Sequence, residues 1–290
     1  MAFKFKEKIN IEFDGDNYVF DFKGLKHHKV TSRRFPNLLG ENRFNSVGYT
    51  ILEMFKLLQR EEIKAWYTIR GAVAEHFVNE YLKGGFYENT KFETVTFAPQ
   101  QFKYYDQFYG KNDKFGGVID IAITKPKRMM CETKSKSIKN VEYINKERPK
   151  EEVSQGEQLA FLSVVDRYLM AYVFFTPEQE EKIQKMADNI SKNGLKVDKI
   201  VYEQMNYVLK GLGFELKDLY VKIYPYNLDR KATSERMLKA YKIFENAKQT
   251  NKINKNLFDE EEQEYLNKLV TYKNETDDEV IKRYLEKDKK

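Results

Sequence analysis

Two hydrophobic periods alternate along the chain. Apolar residues at every second position, or in short unbroken runs, predict strands, and apolar residues three and four positions apart predict helices. The predicted strands lie on either side of the turn Asp14–Asn17 within 9–22, and at 91–97, 102–109, 115–123, 128–135, 168–175 and 218–226. The predicted helices lie at 46–58, 61–83, 150–165, 177–189, 232–249, 258–272 and 277–288.

The order of these elements predicts a mixed α/β fold. In the middle of the chain a helix is followed by several strands, a second helix and a further strand. The unbroken apolar run Tyr168–Phe175 predicts a strand that is covered on both faces. From Pro177 onward the pattern is charged and helical. We therefore expect an α/β core at 1–176 and a mainly helical C-terminal extension at 177–290.

Composition narrows the class of protein. The 290 residues include 21 Phe and 20 Tyr, which supports a packed core rather than disorder. The single cysteine, Cys131, excludes a disulfide scaffold and a cysteine zinc cluster, and it fits a reducing compartment. No apolar run approaches the roughly 18–20 residues of a membrane span, and the N-terminus lacks the pattern of a signal peptide. We expect a soluble intracellular protein with no membrane partner.

Positive charge is concentrated in one segment. The formal net charge is only +6, but residues 125–150 contain nine basic and three acidic residues, with Lys136 and Lys139 among the basic ones. Such a segment is either a solvated lysine-rich face or a strip that binds the backbone of a polyanion. Charge by itself leaves both interpretations open.

The most informative chemical pattern lies in two neighbouring predicted strands. Asp120 ends the apolar segment 117–120, and Glu132 and Lys134 share one face of the next strand because side chains alternate. In a hairpin Asp120 lies beside them. Two adjacent carboxylates favour a cation such as Mg²⁺, and a nearby lysine can hold or deprotonate a water aimed at phosphorus. The pattern indicates metal-assisted phosphodiester hydrolysis, although Asp with a later Glu-x-Lys also arises by chance in a highly charged chain.

Four motifs in one order resemble a known superfamily. They are, in chain order, Thr31–Phe44, Arg70–His76, Gly117–Asp120 with Glu132-Thr133-Lys134, and Gln155–Ala160. Together they are similar to the PD-(D/E)xK nuclease superfamily, in its phage lambda exonuclease/YqaJ-like (RecB-type) branch. The resemblance covers roughly residues 30–175. It implies a restriction-endonuclease-like core, with a central mixed sheet flanked by helices, for the segment 1–176.

The resemblance also implies roles at the metal site. Asp120 and Glu132 would ligate Mg²⁺ or Mn²⁺, with the Thr133 carbonyl as a further ligand, and Lys134 would position the attacking water. Glu75 would add a carboxylate, because it follows Gly71 by four residues as in the family motif. Its neighbour His76 is the rival, since RecB-type members use a histidine.

Further roles concern the substrate. Gln155 would orient Lys134 or the scissile phosphate, with Gln158 as the second choice. Ser32, Arg33 and Arg34 would bind a phosphate, such as a 5′-terminal one, and Lys136 and Lys139 would contact the DNA backbone. A solvent-facing or capping glutamine and an ordinary polar loop are the alternative interpretations of these residues.

The function implied by the resemblance is a Mg²⁺-dependent DNA exonuclease of phage recombination and repair. It would degrade linear duplex ends in the cytoplasm of a bacterial host and pass single strands to an annealing protein, and it could assemble as a homo-oligomer. One alternative is an endonuclease or junction-processing nuclease on the same core. The other is a non-catalytic DNA-binding protein that keeps the fold.

Overall fold

The structure is a computed structural model that describes residues 3–59, 64–96 and 114–270. The predicted strand at 102–109 and the predicted helix at 277–288 lie outside the described residues. The described strands are β1 Glu12–Phe13, β2 Asn17–Val19, β3 Val30–Thr31, β4 Glu93–Thr96, β5 Phe115–Gly116, β6 Ile121–Lys125, β7 Met129–Ser137, β8 Arg167–Phe175, β9 Tyr220–Asn227 and β10 Lys252–Asn254. The described helices are α1 Arg34–Leu38, α2 Val47–Met54, α3 Ala65–Lys83, α4 Val141–Lys146, α5 Lys150–Leu162, α6 Pro177–Lys192, α7 Val197–Glu203, α8 Met205–Leu212, α9 Arg230–Thr250 and α10 Glu260–Leu269.

The chain forms two compact units. One unit contains the described residues within 29–41 and 60–240, and the other contains the described residues within 1–28, 42–59 and 241–290. Contacts within the folded chain define these units, and their limits differ from residue 176. The division into a core and an extension at that residue stays a prediction.

A five-stranded mixed sheet organises the unit that contains residues 60–240. Its strand order is β4-β6-β7-β8-β9, and all neighbouring pairs are antiparallel except β7 with β8, which are parallel. Helices pack on both faces, and helices predominate after Phe175 although β9 joins the sheet. The predicted mixed α/β fold with a mainly helical C-terminal region is therefore confirmed.

Alternation of side chains along β7 and β8 creates two hydrophobic cores. Cys131, Ala171 and Val173 face the helices α3, α6, α7 and α8, where they join a cluster of buried apolar residues. Met130 and Met170, one position away, face α4 and α5 on the opposite side. Because both of its faces are covered, β8 is apolar nearly throughout, as expected for a buried strand of a parallel pair. β7 is apolar at residues 129–131 and polar from Glu132 onward.

One segment that was predicted as a single strand forms two separate strands. The segment 115–123 was expected to be a single strand that carries Asp120, but it is divided into β5 and β6, with Asp120 just before β6. The segment changes partner between its two halves, since β5 pairs with β3 and β6 pairs with β4 and β7. Asp120 thus lies at the beginning of a strand rather than at the end of one.

The other unit contains the predicted hairpin. β1 and β2 pair around the turn after Phe13, and β10 adds to β2 as a third strand. Helix α2 begins after Ser46, whose hydroxyl accepts a hydrogen bond from the Tyr49 amide at 2.9 Å.

Of the helices described in either unit, none is long and apolar enough to span a membrane.

Two helical glycines lead to opposite predictions for stability. A Cβ on Gly71 in α3 would meet no atom within 4 Å, whereas a Cβ on Gly156 in α5 would lie 2.7 Å from the Met170 sulfur and from the Tyr168 ring. We expect Gly71→Ala to stabilise the fold by about 0.5–1 kcal/mol, because alanine favours helix. Gly156→Ala should destabilise it by about 1–3 kcal/mol through overpacking.

Urea denaturation of the two variants measures both effects. Both glycines lie inside helices, so alanine raises the helix propensity equally in the two variants. Any difference between their unfolding free energies therefore reports the packing around each site. Equal changes in unfolding free energy would contradict the close packing of α5 against β8.

Candidate active site

The β6–β7 hairpin brings Asp120 and Glu132 together. Ile121 pairs with Cys131 in the antiparallel register, so Asp120, one residue earlier, lies across from Glu132. The Thr133 backbone N–H donates to Asp120 Oδ2 at 2.7 Å, which fixes the carboxylate against β7. Glu132 is only 6% exposed. Two carboxylates therefore meet at one edge of the hairpin, on the same face of the sheet.

Lys134 is held between two side chains. Its Nζ donates to Glu132 Oε1 at 2.8 Å and to Gln155 Oε1 at 2.7 Å. Burial lowers the pKa of Lys134, but the carboxylates of Glu132 and Asp120 outweigh it and raise the pKa above its ordinary value. The ammonium therefore keeps its proton at neutral pH, and it can donate hydrogen bonds and offset negative charge.

The two glutamines of α5 have different surroundings. Gln155 contacts Lys134 directly, which is the position that the predicted orienting role requires. Gln158 is fully buried, and its Nε2 donates to the Val30 carbonyl at 3.1 Å. Gln158 thus joins α5 to β3, and Gln155 is the glutamine that reaches the site.

Glu75 of α3 contributes a third acid to this environment. Burial, and then the negative charge of Glu132, raise the pKa of Glu75 to about 7. Burial also raises the pKa of Asp120 well above its usual range, with the charges of Glu132 and Glu75 as further causes. The three carboxyl groups therefore repel one another in a region with little water.

His76 lies in a different environment. Burial lowers its pKa, and the charged groups that act on it most are Glu80 and Lys83 of its own helix. It lines a cavity of about 620 Å³ together with Phe86 and Phe214. The structure thus brings Glu75 rather than His76 into electrostatic contact with Asp120 and Glu132, and the metal-binding role of either stays a prediction.

The carboxylates fit a divalent cation chemically. Glu132 Oε2 is buried without a hydrogen-bond partner, and a cation would satisfy it. Oxygen donors with several mutually repelling charges are the ligands that Mg²⁺ and Mn²⁺ prefer. Within 3–59, 64–96 and 114–270 no three His, Cys, Asp or Glu side chains are already gathered as a metal cluster. Protein donors contact both carboxylates, the Thr133 amide at Asp120 and the Lys134 ammonium at Glu132.

The predicted phosphate-binding segment lies near the strand that leads to Asp120. Ser32, Arg33 and Arg34 follow β3, which pairs in parallel with β5. Arg33 is exposed, and Arg34 is partly buried at the first position of α1. Their role in phosphate binding stays a prediction.

The basic segment 125–150 is partly neutralised by acids from other elements. Lys136 forms an ion pair with Glu152 of α5, and Lys150 pairs with Glu41 at 3.2 Å. Lys139 is exposed. The excess of charge in the sequence is therefore smaller in the folded protein, and the contacts of Lys136 and Lys139 with DNA stay predictions.

Arg70 connects the helix of Glu75 to the strand of Lys134. Its Nε donates to Ser135 Oγ at 3.2 Å, and its guanidinium pairs with Glu180 of α6 at 2.8 Å. The same guanidinium lies 4.9 Å from the ring centroid of Trp66. Sequence reasoning placed Arg70 in a motif but gave it no role, because its partners come from distant segments.

A second network of hydrogen bonds and ion pairs joins α9 to α5. Arg236 of α9 donates to both Glu41 oxygens at 2.8 Å and to Ser154 Oγ at 2.6 Å, and it pairs with Glu157. Glu41 lies in the Thr31–Phe44 motif, but no signal in the sequence marked Arg236. The network holds the residue that precedes Gln155.

Comparisons with known proteins give structural likenesses. No protein-family model matches the chain, and no curated protein matches it. An alkaline exonuclease (LHK-Exo) from Laribacter hongkongensis is similar at a TM-score of 0.45 and 12% identity, over 86% of this chain and 96% of that one. A phage related exonuclease from Haemophilus somnus 129PT is similar at a TM-score of 0.43 and 16% identity, over 76% of this chain and 95% of that one. Both of these proteins are described as exonucleases.

Proposed function

We propose that this chain is a divalent-metal-dependent deoxyribonuclease. The proposal rests on the position of the Lys134 ammonium, which Glu132 and Gln155 hold beside the carboxylate of Asp120. An ammonium next to clustered acids is suited to hydrolysis at phosphorus, where negative charge develops on the oxygens.

Each side chain has a defined task in this proposal. Asp120, Glu132 and Glu75 would hold Mg²⁺ or Mn²⁺, with the Thr133 carbonyl as a further ligand. The bound cation would supply Lewis acidity and a more acidic water. In the metal-free protein Lys134 keeps its proton, and in this proposal its ammonium orients the attacking water and stabilises negative charge on the phosphate. Gln155 fixes the direction of the Lys134 ammonium.

We extend the proposal to an exonuclease that degrades linear duplex ends during phage-type recombination and repair. The motif resemblance supports this narrower reaction. It also supports a single-strand annealing protein as a partner, and a homo-oligomer as the assembly.

Linear and closed circular DNA of the same sequence distinguish the possible activities. With Mg²⁺, the protein should release nucleotides from the linear duplex and leave the relaxed circle intact, and EDTA should stop the release. Acid-soluble nucleotide measures the reaction. Equal cutting of the circle would indicate the endonuclease or junction-processing alternative. No cutting of either DNA with Mg²⁺ or Mn²⁺ would indicate a DNA-binding protein without catalysis.

A further inference from the structure

The last strand of the central sheet carries aromatic rings and cations that the proposed hydrolytic site does not use. β9 pairs with β8 on one side, and no described strand pairs with its other side. Tyr220, Lys222, Tyr224 and Tyr226 occupy alternate positions and so project from one face. Tyr220 is 42% exposed, so part of this row is open to solvent.

This row shares its face with the candidate active site. Lys134 pairs with Tyr172 of β8, and Tyr172 pairs with Lys222 of β9. Paired residues of neighbouring strands point to the same side of a sheet, and strands lie about 4.8 Å apart. Lys222 is therefore about two strand spacings, roughly 10 Å, from Lys134 along the sheet.

Neutral partners orient the two cations of this surface. Arg148 donates from Nε to the Tyr226 hydroxyl at 3.2 Å, and its guanidinium lies 4.9 Å from the Tyr224 ring centroid. Lys222 donates from Nζ to Asn145 Oδ1 at 2.6 Å. Over the described part of the chain, neither cation has a carboxylate partner, unlike Lys136 with Glu152. Their charges are held in place without being neutralised.

One ring of this row is open to a base. Tyr224 and Tyr226 pack against the buried core, where their rings contact Tyr172 and Tyr168. Tyr220 is the exposed ring of the row, and it lies two residues from Lys222 on the same face of β9. Aromatic rings combined with phosphate-binding cations are typical of surfaces that bind single strands without sequence preference.

We infer that the face formed by Tyr220, Lys222, Tyr224, Tyr226 and Arg148 binds single-stranded DNA. The choice of DNA rests on the proposed function, in which hydrolysis of one strand exposes the other. Arg148 and Lys222 contact phosphates, and the solvent-facing ring of Tyr220 stacks on a base.

Fluorescence anisotropy with a labelled oligothymidylate in EDTA tests this surface without hydrolysis. The double variant Arg148→Gln/Lys222→Gln should bind at least tenfold more weakly. The slope of log affinity against log salt concentration should be smaller in magnitude by about 1.4 for this variant, because each phosphate contact on a single strand contributes about 0.7 to that slope. Tyr220→Ser should bind about fivefold more weakly, and Tyr220→Phe, which keeps the ring, should bind like the original chain.

Matched controls come from the same unit. Lys185→Gln/Lys217→Gln removes two exposed lysines that are paired with Glu181 and Glu215, and Tyr207→Ser removes a tyrosine that is 62% exposed. Equal weakening by these controls would overturn the inference. Unchanged binding of oligothymidylate by the double variant would also overturn it. The same holds if the double variant loses as much affinity for blunt duplex as for oligothymidylate, or if the original chain binds polyglutamate as tightly as oligothymidylate.

The outcomes separate this surface from the nuclease proposal. Failure of the original chain to bind oligothymidylate, with hydrolysis of linear duplex intact, would overturn the surface alone. Binding that depends on Arg148 and Lys222 in a protein that cuts no DNA would overturn the nuclease proposal and support the surface.

Discussion

Asp120→Asn is expected to lower the rate of phosphodiester hydrolysis by at least about 10²-fold, because the substitution removes a carboxylate from the proposed metal site. Asparagine keeps the shape of the side chain, and its Oδ1 can still accept the hydrogen bond from the Thr133 amide. The fold should therefore persist while the charge is lost. Release of nucleotides from linear duplex with Mg²⁺ measures the rate.

The same substitution should stabilise the metal-free protein at neutral and higher pH. Burial, Glu132 and Glu75 raise the folded pKa of Asp120 above its unfolded value. The folded state therefore binds this proton more tightly, and that contribution is fully present below the unfolded pKa and is lost as the pH rises through the folded pKa. Asparagine does not ionise, so in EDTA the Tm of the variant should exceed that of the original chain at pH 8, by a margin that shrinks towards pH 4.

Asp166→Asn is the matched control, because Asp166 is 81% exposed and pairs with Arg230 at the surface. Its hydrolysis rate and its Tm should stay close to those of the original chain. An Asp120→Asn protein that hydrolyses DNA at the original rate would remove Asp120 from the mechanism. A lower Tm of that variant at pH 8 in EDTA would show that the ionised carboxylate stabilises the fold.

Arg236→Met is expected to cost about 2–4 kcal/mol of unfolding free energy. Arg236 is the shared cation of Glu41 and Glu157, and the Glu41 side chain is only 8% exposed. Breaking a buried ion pair from one side leaves an uncompensated charge, which is more costly than the loss of a surface pair. Lys150 still contacts Glu41 at 3.2 Å, so the cost should lie below that of a fully isolated buried acid.

Arg230→Met, on the same helix, provides the comparison. Arg230 pairs with Asp166 at 2.7 Å, but both side chains are well exposed, so its loss should cost no more than about 1 kcal/mol. Urea denaturation at pH 7 measures both variants. If Arg236→Met were no more costly than Arg230→Met, the network around Glu41 would have no special part in holding α5.

Local patterns in the sequence predicted most of the elements that build the site. Alternation placed Glu132 and Lys134 on one face, and their contact at 2.8 Å agrees with it. The apolar run before Pro177 predicted the buried strand β8. Such patterns depend on residues only a few positions apart, so they predict strands and helices without knowledge of the tertiary structure. Short helices such as α1 and α4 were missed, because five or six residues hold too few turns to show a period.

Tertiary packing decided which residues meet. Adjacent positions on a helix point about 100° apart, so only the docking of α3 against the sheet could turn Glu75 rather than His76 towards Asp120. Lys136 looked like a free cation in the sequence until α5 placed Glu152 beside it. Arg236 lies 195 positions from Glu41, and no local pattern encodes that contact. The sequence by itself determined the residue types and the faces they share. The three-dimensional fold determined their partners, because charge and burial act through space, whereas hydrophobic periodicity acts along the chain.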